Sequence, residues 1–416
     1  MKRLTLTAIA ALLIGSSVQA ADLTLVEVIT SPERTETLEE IVAGWEEASG
    51  NTVEIVSLPW GQAFEKLATM VAGGDIPDVV EMPDRWLATY ADGLVDLGPY
   101  VEKWADGKTL TDATIKMGSQ TLDGALKEIP YGFYLRAMFY NKDLLAEAGV
   151  DGPPETLEEF RDASAAIAKL DGKYGYCLRG GPGGLNGWMM MAMTMRGSPE
   201  FFDENGKSTL DTPEAIAGMQ FLVDLYKDGL APRDAVSWGF NEIVAGFYSG
   251  TCAFLDQDPD ALIAVASRMD ADSFAVAPMP KGPDGKSFPT IGYAGWAIFD
   301  AAEDKDAAWS LVEHLSTPQA NDTWAKRVGV IPIHEGAEQD PYFQSEQFAG
   351  WFTELNDPAW QPLTMPTYLE QFGYFADAIA LETSQQALLG QITVEEMASQ
   401  WAEFLTGEYA KWQEGQ

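Results

Sequence analysis

The chain has 416 residues, with 26 Lys+Arg against 64 Asp+Glu, a formal charge of −38, and 46% hydrophobic residues. A surface this acidic repels nucleic acid phosphates and anionic lipid, so neither is expected as a partner. It does not exclude an anionic small ligand, because a local arginine overrides the far field; a plainly solvated, salt-adapted surface accounts for the charge. No run is of low complexity, and the length suits a compact body of two lobes.

Residues 1–20 read as a secretory leader. Lys2 and Arg3 supply the positive start, Leu4 to Ile14 the apolar centre, and Val18-Gln19-Ala20 a small-residue cleavage site. The apolar centre is too short for a stable anchor, and no later segment is apolar for long enough to cross a membrane. No cysteine follows the cleavage site to take a lipid. The expected mature protein is exported and soluble, in a Gram-negative periplasm, and losing Lys2 and Arg3 takes its charge from −38 to −40.

Leu23 to Thr30 is β-rich and stops at Thr30-Ser31-Pro32. Thr37-Leu38-Glu39-Glu40 has the form of a capping box, with Leu38, Ile41, Val42 and Trp45 on one helical face and Gly50 as the stop. Val53–Val56 is the next strand. Phe64, Leu67, Ala68 and Val71 repeat the helical spacing up to Gly73-Gly74, and Val79-Val80 opens a third strand. Strand, helix, strand, helix, strand predicts a right-handed parallel α/β unit, which binds ligands outside the carboxyl ends of its strands. Those ends are Thr30-Ser31, Pro59-Trp60 and Glu81 to Trp86.

The stretch Ile129 to Leu145 is apolar and aromatic through Tyr140, apart from Arg136. It reads as a strand covered on both sides, as in a parallel sheet, that carries the chain past a cleft into a second lobe, with a helix starting at Asn141-Lys142-Asp143. Further on, Thr156-Leu157-Glu158-Glu159 caps a helix. Tyr174 to Leu178 is a strand followed by the glycine-rich loop Arg179–Gly184, which lacks the spacing of the phosphate-binding fingerprints. Asp211-Thr212-Pro213-Glu214 starts another helix. Gly250–Leu255 is a strand running into Asp256, Asp258 and Asp260, Phe274–Ala277 is a short strand, and Ile291–Ile298 a strand interrupted by glycine. The remainder is mostly helical.

Cys177 and Cys252 are the only cysteines. In an oxidising compartment they read as a disulfide, with two separate buried thiols as the alternative. The chain has no His-Glu-x-x-His, no Gly-x-Ser-x-Gly and no clustered His/Cys set, so no metal, cofactor or catalytic group is expected. His314 reads as a helix-surface residue and His334 as a loop residue.

Gly73-Gly74-Asp75-Ile76-Pro77-Asp78-Val79-Val80, Pro130-Tyr131 through Leu144, Pro153–Thr156 and Gly250–Phe254, in this order and spacing, resemble the carbohydrate-binding extracellular solute-binding proteins of ATP-binding-cassette importers, the group containing maltose-binding protein. The resemblance spans essentially the whole mature chain. It implies a two-lobed periplasmic binding protein fold of the type II kind, with parallel-rich sheets flanked by helices and a hinge between lobes. The lobes are expected at 21–132 plus 297–335 and at 133–296 plus 336–416, to within about ten residues. Cys-Leu-Arg-Gly at 177–180 with Cys252 further resembles the sorbitol/mannitol-type members, in which such a pair is bridged. The glycine-rich loop and the Asp256–Asp260 cluster depart from that pattern.

A sugar site needs aromatic faces and charged or amide groups in reach of adjacent hydroxyls. The candidates are Thr30, Ser31, Trp60, Asp84, Arg85, Tyr134, Arg136, Arg179, Asp256, Asp258, Tyr293, Trp296 and Tyr374. Asp84-Arg85 matches an Asp-Arg pair that contacts sugar in maltose-binding protein. Each has a plainer reading: a solvated turn pair for Asp84-Arg85, an ion-paired Arg136, core aromatics at Tyr293 and Trp296, water-facing carboxylates at Asp256 and Asp258, structural rings at Trp60 and Tyr374. The expected function is capture of a sugar, oligosaccharide or polyol by a monomer that hands it to membrane permease subunits. The alternatives are a secreted carbohydrate-active enzyme such as a glycoside hydrolase, a receptor for a sulfonated or phosphorylated sugar, and a sensory protein of the same fold.

Overall fold

A computed structural model describes residues 20–121 and 124–415; apart from Ala20, the expected leader lies outside them. β1 (Asp22–Glu27), β2 (Thr52–Ser57) and β3 (Val79–Pro83) form the predicted parallel unit in the order β2-β1-β3. α1 (Pro32–Ser49) and α2 (Trp60–Gly73) connect them. The first helix starts five residues before the expected capping box. Ser31 is its N-cap, accepting from the Arg34 N–H at 3.3 Å, and Pro32 takes the first position, where a missing N–H costs nothing. The Thr37 hydroxyl, which would have capped a shorter helix, donates to the Glu33 carbonyl within the first turn. Leu38, Ile41, Val42 and Trp45 are buried as their spacing requires, and Gly50 ends the helix in the left-handed conformation at φ 77°. A short helix α3 (Asp84–Tyr90) leaves the end of β3 directly.

β4 (Glu128–Leu135) and β5 (Ala137–Asn141) are separated by Arg136 alone, yet belong to different sheets. β4 pairs with β9 (Thr290–Ile298), which also pairs with β3. β5 sits between β7 (Cys252–Gln257) and β8 (Phe274–Ala277), and β6 (Tyr174–Tyr176) lies beside β7. The chain therefore does cross between sheets at this stretch. The pairings of β4 and β5 are antiparallel, however, which differs from the parallel sheet expected there. An unbroken apolar run reports burial on both faces, and β4 and β5 have that burial; it does not report direction.

The second crossing precedes β9, whose nine residues all belong to the first sheet, so the expected changeover at 296/297 falls inside a strand. The changeover expected at 132/133 likewise falls inside β4. β10 (Leu363–Thr364) pairs with β9 and returns briefly to the first sheet from a segment expected wholly in the second lobe. Around the second sheet stand α4 (Lys142–Ala148), α5 (Leu157–Ile167), α6 (Leu185–Arg196), α7 (Pro213–Lys227), α8 (Phe240–Tyr248) and α9 (Val394–Gly415); α4, α5 and α8 pack on its strands, and α6, α7 and α9 pack on one another and complete the core of that lobe. Caps at Asn141, Thr156 and Thr212 start three of these as their sequences predict. Trp401 and Leu405 bury one face of α9. No described helix is long and apolar enough to cross a membrane.

Cys177, just after β6, and Cys252, at the start of β7, form a disulfide with Cα atoms 5.4 Å apart. It closes a 75-residue separation, which in the chain-entropy model stabilises by about 4 kcal/mol. A Cys177→Ala/Cys252→Ala variant should lose about that much unfolding free energy in a urea titration. The unsubstituted protein should lose a similar amount when reductant is added, and the variant should not respond to it.

Candidate functional site

Between the two sheets lies a cleft of about 780 Å³. One wall comes from the carboxyl ends of β1, β2 and β3, where a parallel sheet presents unpaired loop ends. Thr30 and Ser31 follow β1, Trp60 opens α2 and Asp84-Arg85 open α3; all line the cleft. Behind them is a buried network. Glu81 accepts the N–H groups of Val28 and Ile29 at 2.7 and 2.8 Å and pairs with Arg34 at 2.8 Å. Arg34 also donates to the Ile29 carbonyl at 2.6 Å and to the hydroxyls of Tyr131 and Tyr134 at 2.9 and 3.3 Å. Its guanidinium lies 5.0 Å from the Trp324 ring centre. The Ile29 peptide is thus held at both its N–H and its carbonyl, which fixes Thr30 and Ser31 against the cleft. Trp60 stacks on Trp86 at 5.4 Å, and Arg85 lies over Trp60 while pairing with Asp377 at 3.1 Å.

Asp84 is largely buried. Burial pushes its carboxyl up to about 6, although the Arg85 charge and the N–H groups of Arg85 and Tyr293 pull the other way. Glu128 nearby is fully buried and neither of its carboxyl oxygens has a hydrogen-bond partner among the described residues; burial, then the Asp84 charge, holds it well above the usual range.

The second lobe supplies the opposite wall. Arg136, 1% exposed, donates to the Asp256 carbonyl and the Gln257 amide oxygen, both at 2.7 Å, and pairs with the carboxylates of Asp256 and Asp258 at 3.1 and 3.3 Å. The Tyr176 hydroxyl donates to Asp256, and Gln257 donates to Asp258 at 3.0 Å. Asp258 is raised by burial, opposed by Arg136 and Arg179. Asp260 is pushed up to about 7 by burial and by the neighbouring Asp258 charge. Arg179 enters from the loop after β6 and donates to the Pro182 carbonyl at 2.7 Å.

Thr30, Ser31, Trp60, Asp84, Arg85, Tyr134, Arg136, Arg179, Asp258 and Tyr293 are thus brought together around one cavity. Tyr293 reaches it only as wall: the residue is 2% exposed and its hydroxyl donates to the Met117 carbonyl at 2.6 Å. Three candidates are elsewhere. Trp296 is buried in the core between Tyr131 and Trp324, because the side chains of β9 alternate and its own points away from the cleft. Asp256 faces inward from β7, held by Arg136 and Tyr176. Tyr374 is 52% exposed and does not line the cavity.

Arg34, Phe240, Asn241, Gln257, Asp260 and Thr367 line the cleft without having been singled out as site residues. Arg34 follows Pro32-Glu33 directly after a strand end, and Asn241 stands in the first turn of α8; position at an element end is the signal that marks both. Of the histidines, His314 lies on a helix and bonds the Ile41 carbonyl, whereas the loop residue His334 is buried between Thr109 and the Ser316 carbonyl.

Two α/β lobes meeting over a cleft of aromatic rings and fixed charges define a two-lobed binding protein. The model of the bacterial extracellular solute-binding protein family matches residues 31–322, and the chain belongs to that family. It is 25% identical over 364 residues to a protein of Brucella abortus described only as a binding protein, covering 86% of this chain and 87% of that one. It is 26% identical over 336 residues to the galactooligosaccharide-binding protein of Bacillus subtilis, covering 77% and 76%. The fold matches maltose-bound MalE3 of T. maritima with a TM-score of 0.83 at 25% identity, over 93% of this chain and 99% of that one.

Replacing Arg34 by Met leaves Glu81 buried and unpaired, and should cost about 3–5 kcal/mol of unfolding free energy in a denaturant titration. Asp260 titrates higher when folded than unfolded, so the stability it contributes is full below about pH 4 and lost as pH rises to about 7. Asp260→Asn should therefore reduce the fall in melting temperature between pH 4 and pH 7, relative to the unsubstituted protein.

Proposed function

We propose that this protein captures a sugar, oligosaccharide or polyol in the periplasm and delivers it unchanged to the permease of an ATP-binding-cassette importer. The observation that carries this reading is the cleft itself. Aromatic rings and charged side chains from both lobes converge there, and two of its arginines, Arg34 and Arg136, are already fixed by buried carboxylates. Such groups meet sugar hydroxyls without reorganising, which keeps the cost of binding low. The names of relatives point the same way: a galactooligosaccharide-binding protein in Bacillus subtilis and a mannitol-binding protein in Pseudomonas aeruginosa. The sequence of residues 1–20 and the Cys177–Cys252 disulfide both suit an oxidising, exported location. The acidic surface gives nucleic acid no purchase, and the protein acts as a monomer that binds without catalysing.

A thermal-shift screen against mono-, oligosaccharides and polyols tests the proposal. A true ligand at 100 times its Kd should add about 2.7 kcal/mol of stability and shrink the particle in small-angle scattering. The proposal fails if no carbohydrate does either, or if the bound one is recovered cleaved.

A further inference from the structure

Six of the nine arginines among the described residues line the cleft, and none of the fifteen described lysines does. Five carboxylates line it too, so in a chain of formal charge −38 the cleft wall is close to neutral. Arg34, Arg85, Arg136 and Arg327 each have a carboxylate partner within 3.3 Å. Arg268 has none, but it is exposed, so water solvates it. Arg179 differs from all of these. It is half-buried, it forms no ion pair among the described residues, and its hydrogen bond there goes from Nε to a backbone carbonyl.

The local structure holds Arg179 in that condition. Its guanidinium lies 5.9 Å from the Phe240 ring centre. Gly183 leaves room for it: φ there is +83°, and a Cβ would stand 2.3 Å from Nη2, so any other residue would displace the head group. Behind it, shared with Arg136 and Asp256, is a void of only about 10 Å³, space for a single water, so a partner must come from the cleft side. The first turn of α6, beside it, has Gly184 at its N-cap and no side-chain cap, and Leu185 and Asn186 line the cleft there. Burial, then the nearby Arg136 charge, pulls the guanidinium down to about 10, with the Asp258 and Asp260 charges opposing.

We infer that the saccharide bound in this cleft carries an acidic group, a carboxylate or a phosphate or sulfate ester, which seats against Arg179 in a bidentate pair. The inference rests on the saccharide reading of the cleft and specifies its ligand. A guanidinium fork matches such an oxyanion in shape, where an ammonium would supply only a point charge. Asp258 and Asp260 stay on the same wall to accept hydroxyls, and their charges set a limit on how many acidic groups the ligand can bring.

Calorimetric titration with glucose, galactose and maltose against glucuronate, galacturonate, digalacturonate and glucose 6-phosphate tests it. An acidic member should bind on the order of 10- to 100-fold more tightly than its neutral counterpart. Arg179→Gln should erase that ratio, weakening the acidic sugar on the order of 10- to 100-fold more than its neutral counterpart. Arg179→Lys should keep its sign at reduced size, and Gly183→Ala, with Arg179 intact but displaced, should reduce it likewise. The inference is overturned if a neutral sugar binds as tightly as its acidic counterpart, or if Arg179→Gln weakens both by the same factor; either result leaves the saccharide receptor standing. Absence of binding by every saccharide, acidic or neutral, overturns both.

Discussion

Tyr134 and Arg136 stand two residues apart on the stretch that joins the lobes, and each is tied into a different buried knot. Tyr134 belongs to the first lobe through Arg34, Glu81 and Tyr131. Arg136 belongs to the second through Asp256, Asp258 and Gln257. A buried charge is tolerable only when paired and hydrogen-bonded, so each knot fixes its partners closely. Between them only Leu135 is left, and the Arg136 N–H donates to Thr290 of the returning strand at 3.0 Å. The same knots set the positions of Thr30, Ser31, Asp258 and Tyr134, so each half of the cleft is ordered before any ligand arrives.

The protein places its charges by chemistry as well as by number. The far surface is acidic, while the cleft concentrates arginine. Desolvation raises Asp84 and Asp260 to about 6 and 7, so the wall holds carboxyl groups that shed protons near neutrality. Such groups can donate or accept a hydrogen bond according to pH, a useful range for recognising hydroxyls, which do both.

Much of the fold was legible in the sequence because it is written locally. Helical spacing exposed the buried face of Leu38, Ile41, Val42 and Trp45, and the crossing at Ile129–Leu145 announced itself by having no polar face. Errors arose where two local signals competed or where partners are distant. Thr37 had the form of a cap, but Ser31, followed by Pro32, offered a better one six residues earlier. Trp296 and Tyr293 share a strand, and only the register of β9 against β3 and β4 decides that the first points into the core. Arg34 was overlooked because its role is created by Tyr131 and Tyr134, about a hundred positions away. Asp256 and Asp258 look equivalent in sequence and both pair with Arg136, but β7 ends at Gln257, so Asp256 stays buried within the strand while Asp258, just beyond its end, reaches the cavity wall.

The absence of lysine from the described cleft wall has a practical side. Amine-directed reagents, whether for dye labelling or for fixing the protein to a sensor chip, attach only at positions outside the cavity. Dicarbonyl reagents selective for guanidinium groups find arginines both along the cavity and outside it, at Arg161 and Arg233. Amine chemistry is therefore the one that leaves the recess unmodified, without a single change to the gene.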